Sequence, residues 1–376
     1  MSTKKIRIGI IGSRGIPNYY GGFEQFAAYL APGLVEKGFE VFVYCPHHHP
    51  WKEKTYRGVQ LIRCLDPEPF MGGTGQFVYD LNCILDSHSR NFDVLYQLGY
   101  TTNGIWQRLM PKNTVLVSNM DGLEWSRAKY GSLVKKFLHL SEKMVVRRSD
   151  FLIADGVPIQ QYLLDTYGVE ATYLAYGADL FDDPNPEKLQ AFRLLPQEYM
   201  LVIARMQPDN HIETIIQAVL MSGSNTPLMV VGTTANKYGA AWKKKYQSPN
   251  IRFLGGIFDP ELLDNLRHHA ALYFHGHSAG GTNPSLLEAM AASARICAHD
   301  NRFNRSVLGE GALYFQDCES LALIIAQKKN DAVWEARVQF NRNNIQEKYK
   351  KSRIIEQYHQ YFNGIAPTTG AHNSQQ

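Results

Sequence analysis

The sequence predicts an α/β protein made of two Rossmann-like domains facing a cleft, with helices at the C-terminal end. Three observations carry this. The chain has 376 residues, more than one hydrophobic core normally spans. Short β-branched runs alternate with longer amphipathic stretches, the rhythm of a parallel sheet with helices on both faces. That rhythm breaks at Asp182-Asp183-Pro184-Asn185-Pro186 and restarts at Tyr199-Met200-Leu201-Val202-Ile203-Ala204, which marks a domain boundary.

In the first half, the runs 6–12, 41–45, 59–64, 93–98, 114–118, 151–155 and 172–176 read as strands. In the second, strands are expected at 199–204, 227–232, 251–254, 271–275, 295–298 and 312–315. From about residue 331 the chain reads as helix, Ala332 to Tyr349 and then Ser352 to Phe362. Gly364 to Gln376 is polar and is expected to be disordered. The expected division is therefore 1–182, 187–349, a helix at 350–363 and a tail at 364–376.

Composition narrows the class. With 44% hydrophobic and 20% charged residues the chain is globular, and its apolar runs fall short of the ~20 residues of a membrane span. The segment Met1-Ser2-Thr3-Lys4-Lys5 leads straight into Ile6-Arg7-Ile8-Gly9-Ile10-Ile11, too short for a secretory core, which argues against export. Cys45, Cys64, Cys83, Cys297 and Cys318 form no C-x-x-C pair and read as reduced residues of a cytoplasmic protein. A net charge of +4 is too mild to point to nucleic acid. The charge is uneven, however: seven Lys or Arg and one acid, Glu142, lie between Arg127 and Arg148.

The first strand runs into Gly12-Ser13-Arg14-Gly15-Ile16-Pro17-Asn18-Tyr19-Tyr20-Gly21-Gly22-Phe23-Glu24. Apolar residues at 23, 26, 27, 30 and 34 then mark one face of a helix that Gly38 would end. Gly21 and Gly22 at its start either let a phosphate approach the backbone or simply make a tight turn. A nicotinamide dinucleotide is the rival ligand, since Gly9, Gly12 and Gly15 approximate the spacing it requires. That reading needs an acid at the end of the second strand, where the sequence is Val43-Tyr44-Cys45-Pro46-His47.

In the second half, His275-Gly276-His277-Ser278-Ala279-Gly280-Gly281-Thr282-Asn283-Pro284-Ser285-Leu286-Leu287-Glu288 follows a strand. Asn283 before Pro284 is a helix start, because Asn caps free amides and Pro pre-sets the first φ. Gly280 and Gly281 ahead of it expose successive amides, a nest for a diphosphate at the positive end of the helix. Leu286, Leu287 and Met290 would pack on the sheet. Glu288 would either reach ribose hydroxyls or face solvent.

These motifs together resemble the GT-B glycosyltransferases of family 4. The resemblance rests on the Gly-Gly-x-Glu loop, Arg205 after the first strand of the second half, Tyr176-Gly177-Ala178-Asp179, and the helix Pro284 to Ala292. Asn119-Met120-Asp121-Gly122-Leu123-Glu124-Trp125 and Gly280 to Ser285 look more like the rhamnosyltransferase-like subset that builds bacterial surface polysaccharides. The resemblance implies a retaining transferase with a nucleotide-sugar donor and no metal or other cofactor. It implies that Arg205 binds the donor diphosphate and stabilises the leaving group. Two positions depart from the family pattern. Asn210 stands where a Lys is usual, and Gly280 stands where a Glu would contact donor-sugar hydroxyls. The missing carboxylate favours a 6-deoxy sugar, and dTDP-L-rhamnose is the expected donor.

The expected donor residues are thus Gly21, Gly22, Arg205, Asn210, Gly280, Gly281, Thr282, Asn283, Ser285 and Glu288, with Glu24, Asp121 and Glu124 on the acceptor side. Asp121, Arg205 and Glu288 are the expected catalytic residues. Asp121 and Glu124 follow a strand at its carboxyl end, where open α/β sheets place ligands, although a turn cap and a solvated acid fit them equally. The acceptor is expected to be a saccharide or lipid-linked saccharide. The basic stretch from Arg127, read as one helix to Arg148, suits an anionic membrane at the inner face and equally a solvated helix packed on its domain. His47-His48-His49 cannot converge on one ion and reads as a surface loop. No D-x-D pair is present to hold a metal. An epimerase of the same architecture and a silent nucleotide-sugar-binding protein remain as alternatives.

Overall fold

In the computed structural model, which describes residues 5–327 and 330–367, the chain divides into two units. The first contains the chain up to Trp125, Ser132–Tyr176 and the chain from Lys351 on. The second contains Ser126–Gly131 and Gly177–Lys350.

The first unit begins with β1 (Arg7–Ile11), α1 (Gly22–Glu36), β2 (Glu40–Pro46), β3 (Thr55–Tyr56) and β4 (Val59–Cys64). It continues with α2 (Glu68–Met71), α3 (Gly75–Ser87), β5 (Val94–Leu98) and β6 (Val115–Asn119). Then come α4 (Ser132–Arg148), β7 (Phe151–Ala154), α5 (Val157–Tyr167) and β8 (Thr172–Tyr173). The sheet order is β3-β4-β2-β1-β5-β6-β7-β8, parallel throughout except for the short β3 hairpin. Residues Val94 to Leu98 are all buried, as a strand covered on both faces requires. Helix α1 buries Phe26, Ala27, Leu30 and Leu34, and Gly38 follows its end at φ +97°.

The second unit is all-parallel. Its elements are β9 (Met200–Ile203), α6 (Ile212–Met221), β10 (Leu228–Val231), α7 (Lys237–Lys245), β11 (Ile251–Gly255) and α8 (Pro260–His269). They are followed by β12 (Leu272–His275), α9 (Pro284–Ala291), β13 (Ile296–His299), α10 (Arg302–Leu308) and β14 (Leu313–Phe315). The unit closes with α11 (Cys318–Ala326) and α12 (Asp331–Asn344). The order β11-β10-β9-β12-β13-β14 places β9 and β12 side by side at the centre. Ile215, Ile216, Leu228, Val230, Phe274 and Phe315 are among the residues of its core.

Helix α13 (Lys351–Ile365) belongs to the first unit. Ile354, Tyr358 and Phe362 are buried on it, and the Tyr358 hydroxyl meets that of Tyr96 at 3.0 Å. Its path leaves no room beside Gly33, where a Cβ would lie 2.5 Å from Ile355 Cδ1.

The division differs from the sequence expectation in three places. It falls between Tyr176 and Gly177, Ser126–Gly131 joins the second unit, and the terminal helix joins the first. The basic stretch is accordingly not one helix: α4 starts only at Ser132. Of the expected tail, Gly364 and Ile365 are helical, and residues from 368 lie outside the described residues. No cysteine is disulfide-bonded, and Cys45, Cys64, Cys83 and Cys297 are buried. Among the described residues, no helix is long and apolar enough to cross a membrane.

Candidate functional site in the second unit

From β9 the chain winds outward through β10 and β11 on one side, and from β12 through β13 and β14 on the other. The helices after β9 and β12 therefore leave in opposite directions, and a crevice opens beyond the carboxyl ends of these two strands. The strands are in register, with Phe274 beside Val202. Arg205 lies two residues beyond β9 and Gly280 five beyond β12, so both expected donor loops border this crevice.

The two loops are tied to each other. The Asn210 side-chain amide donates to the Arg205 carbonyl at 2.7 Å. Ser278 donates its amide and its hydroxyl to the Asp209 carbonyl, each at 3.0 Å. A Cβ at Gly276 would sit 2.1 Å from the Asn210 carbonyl, so only glycine permits this approach. Asn210 is thus an internal strut that shapes the loop displaying Arg205, which is itself exposed.

Helix α9 begins as its sequence dictates. Asn283 Oδ1 accepts the Ser285 amide at 2.9 Å, Pro284 occupies the first turn, and Leu286, Leu287 and Met290 are buried. Gly280 has φ +132°, and no atom lies within 4 Å of where its Cβ would be. There is space for a side chain, but the backbone conformation is one that favours glycine. Thr282 is buried.

Glu288 is paired with Arg267 of α8, whose side chain is only 3% exposed. Arg267 also donates to Asp264 at 2.7 Å and to the Ser285 hydroxyl at 3.3 Å, and Ser285 lies 3.3 Å from the Tyr273 hydroxyl. The buried guanidinium, shared between Asp264 and Glu288, anchors the Glu288 side chain on α9. Sequence reasoning missed Arg267. In the run Arg267-His268-His269 it looks like an ordinary basic helix end.

Four histidines surround the strand ends. His275 stacks on His277 with ring centroids 4.4 Å apart, and His211 stacks on His299 at 4.0 Å. Asn301 and Asn304 donate to the His277 carbonyl at 3.1 and 3.0 Å. Burial pushes His275 down to about 3 and His299 down to about 4, and it lowers His211. His277 is held well below its ordinary value by lost hydration first, and the cations Arg205 and Arg127 lower it further. These four imidazoles are therefore uncharged at neutral pH.

The remaining expected residues lie in the first unit. Gly21 caps α1 in an extended conformation and Gly22 is its first residue. Glu24 is buried and accepts the Arg14 amide at 2.7 Å, so its carboxylate braces the glycine-rich loop from inside. Arg14 in turn pairs with Glu68 and donates to Gln76 at 3.2 Å. Asp121 lies beyond β6, close enough for its charge to act on the buried Tyr176 hydroxyl. The Glu124 amide donates to the Tyr100 hydroxyl at 3.0 Å, which donates to the Gly122 carbonyl at 3.0 Å. This pins the turn that presents Asp121 and Glu124. Among the described residues, no three His, Cys, Asp or Glu side chains are placed to hold a metal ion. Of His47, His48 and His49, the first two are exposed as expected for a loop, but His49 is turned inward, with Nδ1 accepting the Trp51 amide at 3.3 Å.

Residues 186–347 match the family described as glycosyl transferases group 1, and residues 5–179 match a domain of unknown function, DUF1972. No curated protein matches the chain in sequence. Solved structures match it along nearly its whole length. A sucrose-phosphate synthase from Thermosynechococcus elongatus is 16% identical with a TM-score of 0.78, over 96% of this chain and 99% of that one. HepE from Anabaena, in complex with UDP and glucose, is 13% identical with a TM-score of 0.73, over 96% and 100%. WaaG, a glycosyltransferase involved in lipopolysaccharide biosynthesis, is 15% identical with a TM-score of 0.68, over 96% and 100%. The fold is the GT-B arrangement of two parallel-sheet Rossmann-like halves with C-terminal helices.

Proposed function

We propose that this chain, whose residues 186–347 form a group 1 glycosyl transferase domain, moves a sugar from a nucleotide-sugar donor onto a saccharide or lipid-linked saccharide. The observation that carries this reading is the glycine loop Gly280–Gly281 running into the Asn283-capped helix α9, beside Arg205, at the switch point between β9 and β12. Amides at a helix N-terminus and a guanidinium favour a diphosphate, and they favour it more as charge builds on the leaving group. The complex of HepE with UDP and glucose supports the same ligand class on a similar fold.

In this reading the bond from the anomeric carbon to the diphosphate oxygen breaks while an acceptor hydroxyl oxygen bonds to that carbon from the same face, with retention. The acceptor proton passes to the departing diphosphate. Arg205 and the first turn of α9 neutralise the phosphates, Glu288 accepts from ribose hydroxyls, and Asp121 orients the acceptor. The protein supplies these charges itself, so no metal or other cofactor is called for. Gly280 offers no carboxylate to sugar hydroxyls, which favours a 6-deoxy sugar and dTDP-L-rhamnose as donor, for surface polysaccharide synthesis.

The exposed face of α4 carries Leu133, Lys136, Leu140, Lys143 and Arg147 at helical spacing. A stripe that alternates leucine with cations suits an anionic lipid surface, where a lipid-linked acceptor would lie.

The donor is tested by incubating purified protein with dTDP-L-rhamnose or UDP-hexoses and measuring release of the nucleoside diphosphate. Release from dTDP-L-rhamnose is expected. Turnover of UDP-hexoses without any turnover of dTDP-L-rhamnose would overturn the donor assignment.

A further inference from the structure

The basic stretch after Trp125 is divided between the two units. From Ser132 it forms α4 of the first, whereas Ser126–Gly131 packs as part of the second. Its anchor is specific: the Ala128 amide donates to Asp209 Oδ1 at 2.6 Å. Asp209 is only 4% exposed and lies in the loop beyond β9. Its carbonyl takes both bonds from Ser278, two residues ahead of Gly280. Arg127, adjacent to Ala128, is thereby set where the β9 and β12 loops meet. Its charge reaches the same imidazole, His277, as that of Arg205.

We propose that Arg127 is a second diphosphate-binding cation of the donor site, carried to the crevice by the Ser126–Gly131 segment and aligned by the Ala128–Asp209 hydrogen bond. This rests on the reading of the crevice as a nucleotide-sugar site. The charge balance of the crevice favours it. Arg267 is engaged by Asp264 and Glu288 and cannot turn to a phosphate without abandoning both. Asn210 is neutral and is bonded to the loop backbone. The four histidines are held uncharged. Arg205 and Arg127 both act electrostatically on His277, one from each chain segment. A diphosphate presents two groups for guanidinium pairing, and guanidinium forks from two directions hold both.

The test is calorimetric titration of the full chain with dTDP, UDP and the nucleosides thymidine and uridine. Arg127→Met is expected to weaken diphosphate binding about tenfold or more, the usual size of a charge-assisted contact, and to leave any nucleoside affinity unchanged. Arg127→Lys should recover part of the loss, and Lys129→Met, two residues along the segment, should behave as the wild type. Ala128→Pro, which removes the amide that Asp209 accepts, should reproduce the Arg127→Met loss with the arginine still present. If Ala128→Pro does not fold, Arg127→Met alone decides. Diphosphate affinity unchanged in Arg127→Met but lost in Arg205→Met would overturn the inference and leave the donor site standing. A wild-type chain that binds no nucleoside diphosphate would overturn the donor site and this inference together.

Discussion

At the scale of single residues, the crevice is defined by which charges its burial tolerates. His275 is almost fully enclosed, and burial pushes its imidazole down to about 3. Because the folded value lies below the ordinary one, the unfolded chain binds a proton that the native state refuses as pH falls below about 6.5. Stability from this group is complete above that value and is lost progressively on acidification. Asp80 opposes it: burial raises its carboxyl to about 7, so its contribution is lost as pH rises toward that value. His275→Leu should therefore flatten the acid loss of stability, measured by urea unfolding at pH 7 and pH 4.5, by about 2–3 kcal/mol. An undiminished acid loss in the variant would contradict the assignment. Single residues were also where the sequence was least legible. Asn283 and Pro284 announce their roles through local chemistry alone. The partner of Glu288 is 21 positions away in the chain, and only the packing of α8 against α9 brings Arg267 to it.

At the scale of elements, sequence periodicity found nearly every strand of both sheets because buried parallel strands are continuous apolar runs. It missed β3, a two-residue hairpin strand too short to show any period. It also joined Arg127 to α4, since a run of cations with scattered leucines reads the same whether it is helix or loop. What separates them is the Asp209 anchor, a tertiary contact. The true helix leaves Leu133 at 81% and Leu140 at 54% exposure, large for apolar side chains on a folded domain. Flotation with liposomes should recover the protein with anionic vesicles and far less with neutral ones, and replacing Lys136 and Lys143 by Glu should abolish the difference. Recovery independent of anionic lipid would remove α4 as a membrane-facing element.

At the scale of the molecule, the chain length and the break near residue 184 announce two units, but not that the chain crosses between them. Helix α13 shows an apolar face at 354, 358 and 362, and nothing in that spacing says which sheet will cover it. The fit is decided by Gly33, which clears the path of Ile355, and by the Tyr96–Tyr358 pair, neither visible before the fold is known. The site divides in the same way. Arg205, Asn210, Gly280 and Glu288 are gathered by one switch point, whereas Gly21, Gly22, Glu24, Asp121 and Glu124 belong to the other unit. In the proposed function the first group holds a nucleoside diphosphate sugar whose sugar is passed to a second molecule. The most direct measurement is release of dTDP from dTDP-L-rhamnose with and without saccharide acceptor, for the wild type and for Arg205→Met. Acceptor-dependent release, reduced about a hundredfold or more in the variant, is the predicted result. Conversion of the donor sugar without any acceptor, or nucleotide binding with no release on any acceptor, would contradict it.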